Sequence, residues 1–259
     1  MRILGSHLRP GFHVLRRDDH HVQVGLDPPQ RVILPAHGPV LDVLAALHAG
    51  VAPAPEADRT GTLHALAAAG LLEPGRPVSS ATSRTVPRVS VASDDLDLEL
   101  LTRLLTDAGI GPGLKGRPPD VHVMACAGPL ARVRLDPWLG EGAPHLVIAG
   151  TGRPGSLRLG PFVQPGITAC MRCVDAYETA LDPRRPLLVE QLTELPVAPI
   201  DPLVVALACA WAARDIAAYV GGRRPATWSA TVDLDAQVPV VQPWRRHPWC
   251  GCAWDLTPY

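Results

Sequence analysis

The sequence predicts an α/β protein with two domains. Three observations support this prediction: a short run of strands and helices comes first, a Pro-, Ser- and Thr-rich stretch follows, and strands then alternate with helices. At 259 residues, of which 47% are hydrophobic, the chain is long enough for a small and a larger core. We place the first domain at residues 1–78, a linker at 79–86 and the second domain at 87–259.

The first domain is predicted to be a small winged-helix-like module. Short apolar segments predict strands at residues 12–15, 21–25 and 31–34. Helices are predicted at 39–48 and 62–72, because each segment places its leucines and valines on one face.

The second domain is predicted to contain a parallel sheet with crossover helices. The predicted strands are residues 88–92, 120–125 and 145–149, with a helix at 96–108. A nearly all-apolar helix at 202–220 is expected to lie in the core, although it could also form a homodimer contact. A final hairpin or pair of edge strands is predicted at 226–241.

The turn after the first strand of this domain is acidic. A nucleotide-binding α/β fold needs glycines there, so that backbone amides can approach a pyrophosphate at a helix N-terminus. The sequence has Asp94, Asp95 and Asp97 instead. Carboxylates cap a helix well but repel phosphate, so we expect a capped helix and no bound nucleotide.

Two short cysteine pairs predict a metal centre. Cys170 and Cys173 have the spacing of a zinc-binding turn, and Cys250 and Cys252 form a shorter pair about eighty residues later. Four thiolates would close the shell of a structural zinc ion, with His247 as a reserve ligand. Disulfides or unrelated thiols are the alternatives. No signal-peptide-like start or long apolar run is apparent, so we expect a cytoplasmic protein with reduced thiols and no membrane partner.

The charge balance predicts no nucleic-acid partner. The net charge is −1, with 24 basic and 25 acidic residues, and the arginine pairs are separated by long neutral stretches. A metal-sensing, DNA-binding winged helix would need basic residues in its recognition helix. The second predicted helix, 62–72, has none.

Several motifs resemble one known family. They are the segment 159–173 (LGPFVQPGITACMRC), Asp182-Pro183, 190–192 (EQL), the terminal 247–252 (HPWCGC), and 8–11 (LRPG) with 23–28 (QVGLDP). Over the whole chain the sequence resembles the ThiF-like, ubiquitin-activating-like partner proteins of YcaO cyclodehydratases, the leader-peptide-binding proteins of azole-modified peptide and bacteriocin biosynthesis. The resemblance implies that the four paired cysteines bind zinc, that the second domain is a degenerate adenylating-enzyme scaffold, and that a separate YcaO enzyme performs the chemistry.

The resemblance further implies that the first domain holds a precursor leader peptide. We expect an extended peptide to add to the edge strand Arg31, Val32, Ile33 and Leu34. The neighbouring helix would line the pocket, and Arg31 and Arg59 would face acidic leader residues. The predicted lining residues are Leu63, Leu66, Ala67 and Leu71. For each leucine, plain core packing is the alternative, and for the whole protein an ATP-dependent adenylating enzyme is the alternative.

Overall fold

The computed structural model describes residues 7–49, 51–54, 59–73, 86–235 and 237–252. The chain divides into two compact units, Met1–Arg84 and Thr85–Tyr259. Apart from Val86, the predicted linker at 79–86 lies outside the described residues.

The first unit contains a three-stranded sheet, a two-stranded sheet and two helices. In chain order its elements are β1 (His7–Leu8), β2 (Val14–Arg16), β3 (His21–Val24), β4 (Val32–Pro35), α1 (Gly38–His48), α2 (Arg59–Ala68) and β5 (Leu72–Glu73). Strands β2, β3 and β4 form an antiparallel sheet in that order, and β1 pairs antiparallel with β5. Apolar residues of the strands and of both helices share one core.

Helix α2 is shorter at its C-terminus than predicted. It ends at Ala68 because Gly70 adopts a φ of +67°, which reverses the chain direction. Leu71 follows the helix and is fully buried, and Leu72 pairs with Leu8 in the two-stranded sheet. The apolar spacing that predicted a helix to residue 72 therefore continues into a strand.

The second unit is built on one seven-stranded sheet. Its elements are β6 (Arg88–Ser93), α3 (Glu99–Asp107), β7 (Gly111–Pro112), β8 (Val121–Cys126), a 3-10 turn (Arg132–Leu135), α4 (Asp136–Gly140), β9 (His145–Gly150), β10 (Leu157–Val163), α5 (Met171–Leu181), α6 (Arg185–Thr193), α7 (Pro202–Val220), β11 (Ala230–Leu234) and β12 (Val240–Pro243). The strand order is β12-β11-β10-β9-β8-β6-β7.

This sheet is mixed, whereas the sequence predicted a parallel one. Strands β7, β6, β8 and β9 are parallel, and β10, β11 and β12 extend the sheet antiparallel from β9. The sequence did not predict β10, because Gly160-Pro161 interrupts it. The strand tolerates them through a register shift between Leu159 and Phe162. Gly160 has a φ of +89°, and a Cβ there would lie 2.6 Å from the carbonyl oxygen of Ala230.

Helix α7 buries one face only. Seven of its residues are buried in the unit, whereas Leu203 and Leu207 are 72% and 50% exposed. By length and composition, α7 is the one described helix long enough and apolar enough to cross a membrane, a test that core helices also pass. The buried residues include Asp215, whose carboxylate accepts hydrogen bonds from the backbone N–H groups of Ala226 and Thr227.

Candidate functional site

The four paired cysteines meet at one point of the second unit. Their four Sγ atoms all lie within 4.8 Å of one another. Cys170 Sγ lies 3.7 Å from Cys173 Sγ, 3.7 Å from Cys250 Sγ and 3.4 Å from Cys252 Sγ. A tetrahedral ion with metal–sulfur distances of about 2.3 Å holds its sulfurs about 3.8 Å apart. These separations are far longer than a disulfide bond, and the thiols are close enough together to bind one metal ion.

Helix α5 positions the first cysteine pair. Cys170 is the extended N-cap residue, and its carbonyl oxygen accepts a 3.0 Å hydrogen bond from the backbone N–H of Cys173 in the first turn. Ser229 supports this turn, because its hydroxyl accepts a 3.0 Å hydrogen bond from the backbone N–H of Ala169. Both sulfurs therefore lie at the positive end of a helix, which favours thiolates.

A turn after β12 positions the second pair. The backbone N–H of Cys250 donates to the carbonyl oxygen of His247 over 3.0 Å. The backbone N–H of His247 donates to Cys173 Sγ over 3.3 Å, so the two pairs are also linked by a hydrogen bond. The His247 ring makes other contacts: its Nδ1 accepts from the Trp249 N–H at 3.3 Å, and the ring packs nearly perpendicular to the Tyr177 ring.

The cysteine cluster is largely buried. Cys170, Cys173 and Cys250 are buried, Cys252 is half-buried, and Val163, Ala169, Leu139 and Trp244 pack around them. Hydrogen bonds from the thiols of Cys170 and Cys252, together with the N–H of His247, hold the pKa of Cys173 well below its usual range. Cys126 and Cys209 lie outside the cluster, and burial raises the pKa of both thiols.

The acidic turn lies at the carboxyl ends of β6 and β8, where open α/β sheets bind ligands. Asp95 accepts a 2.7 Å hydrogen bond from the backbone N–H of Ala127, and Asp94 forms an ion pair with Arg134. The amide of Ala127 and the guanidinium of Arg134 are groups that could contact a phosphate, but each is already bound to a carboxylate. Helix α3 begins at Glu99 rather than at residue 96, and of the three aspartates predicted to cap it only Asp97 bonds to its first turn, accepting from the N–H of Glu99 at 2.9 Å.

A cleft beside the loop after β8 was not predicted from the sequence. It has a volume of about 400 Å³ and lies between the loop after β8, α5 and α6. Its three arginines are all ion-paired: Arg132 with Asp175, Arg172 with Asp136, and Arg185 with Glu178. The arginines are scattered along the sequence, so no local motif could have indicated this cleft.

The structure separates the predicted peptide-binding residues into exposed and buried groups. Arg31 and Ile33 are exposed on or beside β4, and Val32, Arg59 and Ala67 are half-buried. The buried group is Leu34, Leu63, Leu66 and Leu71, all members of the core of the first unit. Leu71 lies after α2 rather than on it.

Strand β4 is an open edge of its sheet. In the described residues it pairs with β3 on one side only. The N–H of Ala36 donates to the carbonyl oxygen of His20 over 2.7 Å, and the register pairs Leu34 with Val22. Because hydrogen-bonded pairs alternate in an antiparallel ladder, the backbone groups of Arg31, Ile33 and Pro35 face away from β3.

Solved structures share the fold of this chain over all or part of their length. No protein-family profile and no curated protein sequence matches it. The structure of the heterocyclase TruD is 19% identical with a TM-score of 0.70, over 96% of this chain and 43% of TruD. A heterocyclase in complex with substrate and cofactor is 18% identical in sequence with a TM-score of 0.65, over 96% of this chain and 39% of the heterocyclase. E. coli MccB with MccA is 13% identical in sequence with a TM-score of 0.62, over 96% of this chain and 99% of MccB.

These likenesses establish the fold. The chain spans about two fifths of the length of the two heterocyclases and nearly all of the length of MccB. At the level of the fold they are consistent with the resemblance to ThiF-like, cyclodehydratase-associated proteins.

Proposed function

We propose that this protein is a non-catalytic partner that binds the leader of a ribosomal precursor peptide and delivers it to a separate YcaO cyclodehydratase in the biosynthesis of azole-modified peptides. The observation that carries the proposal is that β4 has no strand on one side among the described residues, in a chain that shares its fold with about two fifths of a heterocyclase. An extended peptide gains main-chain hydrogen bonds on such an edge whatever its sequence, and side-chain contacts add specificity.

Strand β12, at one edge of the large sheet, is less able than β4 to pair with an added strand. The N–H of Trp244 donates to the carbonyl oxygen of Ser229 over 2.7 Å, so Pro239, Val241 and Pro243 face away from β11. Two of these three residues lack an N–H, which is a common protection of a sheet edge against strand addition. On β4 only Pro35 lacks one, and Arg31 and Ile33 each present an N–H and a carbonyl. This difference favours β4 over β12 as the peptide-binding edge.

We further propose that the cysteine cluster holds a structural zinc ion. Four sulfur donors at these separations suit zinc, and they leave no open position for water or substrate. Zinc would supply a fixed charge centre that joins the first turn of α5 to the turn at 250–252. Its role in this proposal is to stabilise the scaffold, while the peptide binds to the first unit.

Delivery would act through effective concentration. A leader held by this protein, itself bound to the cyclodehydratase, keeps the Cys, Ser and Thr residues of the core peptide near the catalytic centre. Ordering an extended leader has an entropic cost, which lowers the net affinity and allows the product to leave.

An adenylating enzyme is the second candidate. The likeness to MccB over almost all of both chains favours it, and one MccB structure contains AMPCPP and MccA. The carboxylates of Asp94 and Asp95 disfavour it, because they occupy Arg134 and the Ala127 amide at the sheet crevice. ATP–pyrophosphate exchange with a peptide present tests this candidate: exchange would support an enzyme, and its absence together with no ATP binding would exclude it.

Peptide binding tests the main proposal. A fluorescein-labelled leader from a precursor gene adjacent to this one should raise its anisotropy when mixed with the full-length protein. Two further leader peptides serve as a matched pair: one is N-methylated at every second backbone nitrogen, and the other at the nitrogens in between. Their affinities should differ, because only one of the two sets of N–H groups donates hydrogen bonds to β4. We expect a loss of about tenfold or more for one of these peptides and a small effect for the other. No binding by the unmodified leader would reject the proposal.

A further inference from the structure

The outer face of the small sheet carries exposed side chains that a bound strand would contact. Gln23 of β3 pairs with Leu15 of β2 on one side and with Ile33 of β4 on the other. Leu15 and Ile33 are 46% and 42% exposed, and Gln23 between them is buried. Arg31 lies two residues from Ile33 on the same face, because side chains alternate along a strand. It forms no ion pair with any of the described residues.

The core face of the same sheet has little apolar surface to offer. Leu34 packs there against Leu63, Leu66 and Leu71, and all four are already buried. A peptide side chain on the core face could therefore not make the contacts that were predicted from the sequence for these leucines as pocket-lining residues. The selective contacts of a peptide on β4 must then come mainly from the outer face.

We propose that β4 selects an apolar residue followed two positions later by an acidic residue in the bound peptide. This inference rests on the proposed function. In an antiparallel peptide, residue k opposite Ile33 places its side chain beside that of Ile33, and residue k+2 lies opposite Arg31. The exposed guanidinium of Arg31 favours a carboxylate at k+2, whereas residue k+1 faces the filled core side and is not selected for size. A parallel peptide would reverse the order of the two residues.

Arg16 provides a charge-reversal control on the opposite edge of the sheet. It is exposed on β2, the other open edge of the same sheet, and its backbone also faces away from β3, since the N–H of Arg17 donates to the carbonyl oxygen of His21. Arg16 forms an ion pair with Asp19, and its side chain lies on the face of the sheet that carries Val22 and Leu34, whereas Arg31 lies on the outer face. Arg16 therefore tests a charge on the other edge rather than at an equivalent position. Reversing either charge should leave the buried core unchanged.

A display library of random 12-residue peptides, sorted against the full-length protein, tests the proposal. Binders of the unaltered protein should share an apolar residue at k and be enriched about fivefold in Asp or Glu at k+2. Arg31→Glu should exchange this preference for Lys or Arg at k+2, and Arg16→Glu should leave it unchanged. Circular dichroism of both variants verifies that they fold.

Each other outcome counts against the proposal in a distinguishable way. A shared motif that Arg31→Glu does not alter would overturn the role of Arg31 while leaving peptide binding intact. A motif that responds to Arg16→Glu instead would assign recognition to β2. Binders that share no such motif would overturn this inference alone. No enrichment, together with no binding of the labelled leader, would overturn peptide binding itself and this inference with it.

Discussion

The backbone N–H of His247 donates a hydrogen bond to Cys173 Sγ across 3.3 Å, and so connects the turn after β12 to the first turn of α5. A backbone amide on a sulfur stabilises the thiolate form, which is the form that binds a metal. The bond joins residues 74 positions apart in the sequence. The turn at 250–252 is therefore held at the cysteine cluster by the protein itself as well as by any ion.

Metal content is the first prediction. The purified protein should contain about one zinc ion per chain, and Cys173→Ser should lose it, because three sulfurs no longer close the shell. We expect this variant to lose more than about 4 kcal/mol of unfolding free energy. Elemental analysis and denaturant unfolding provide the measurements. Cys126→Ala is the control, since Cys126 is a buried thiol outside the cluster and its variant should keep the metal.

The His247 side chain provides the second prediction. His247→Ala should retain a full equivalent of metal, because the imidazole contacts Tyr177 and the Trp249 amide rather than the cysteine sulfurs. It should lose about 1 kcal/mol of unfolding free energy from those contacts. Elemental analysis of this variant beside Cys173→Ser separates the two roles. If His247→Ala lost as much metal as Cys173→Ser, the result would show that the imidazole is a metal ligand.

Local spacing predicted the cysteine cluster, whereas tertiary contacts determined the features that the sequence did not reveal. The spacing of each pair is enough to place two sulfurs on one turn. Asp94 and Asp95 were expected to cap α3, but their partners, Arg134 and Ala127, lie 40 and 32 residues away. Capping propensity could not compete with an ion pair and an amide hydrogen bond that form only in the folded sheet.

The strands and helices were likewise predicted where the local sequence determines them and missed where tertiary contacts do. The long helix α7 has the predicted bounds, because a nearly all-apolar segment between Asp201 and Gly221 indicates both ends. Strand β10 was missed because Gly160 and Pro161 are typical of turns, and only the neighbouring strands β9 and β11 keep that segment extended. The end of α2 was misplaced because Leu71 is buried at helical spacing without being helical.

The third prediction concerns pH and His145. Burial lowers the pKa of this imidazole from 6.5 to about 4. The hydrogen bond that His145 Nδ1 donates to the carbonyl oxygen of Ala143 opposes the shift, and the neighbouring His122 adds to it. Between these two pH values the unfolded chain binds a proton that the folded chain does not, so stability should fall as the pH falls from about 6.5 to about 4. The shift corresponds to about 3 kcal/mol, and below pH 4 it adds nothing further.

A matched variant isolates this contribution from the acid sensitivity of the cysteine cluster. His145→Gln cannot titrate but leaves all four cysteines in place. Urea unfolding at pH 7.0 and pH 4.5 should show a smaller loss of stability in His145→Gln than in the unaltered protein, by about 2 kcal/mol. Equal losses in the two proteins would mean that His145 does not contribute to the acid sensitivity.

The fourth prediction contrasts two aspartates of α7. Asp215 is buried and accepts hydrogen bonds from the N–H groups of Ala226 and Thr227 and from the Thr227 hydroxyl. Asp215→Ala should lose about 3 to 5 kcal/mol, because it leaves buried donors without partners. Asp201 is the exposed N-cap of the same helix, and among the described residues its carboxylate accepts only from the N–H of Leu203, so Asp201→Ala should lose about 1 kcal/mol. Thermal and denaturant unfolding of both variants measures the difference, and similar losses would show that the loop at 225–227 does not depend on the buried carboxylate.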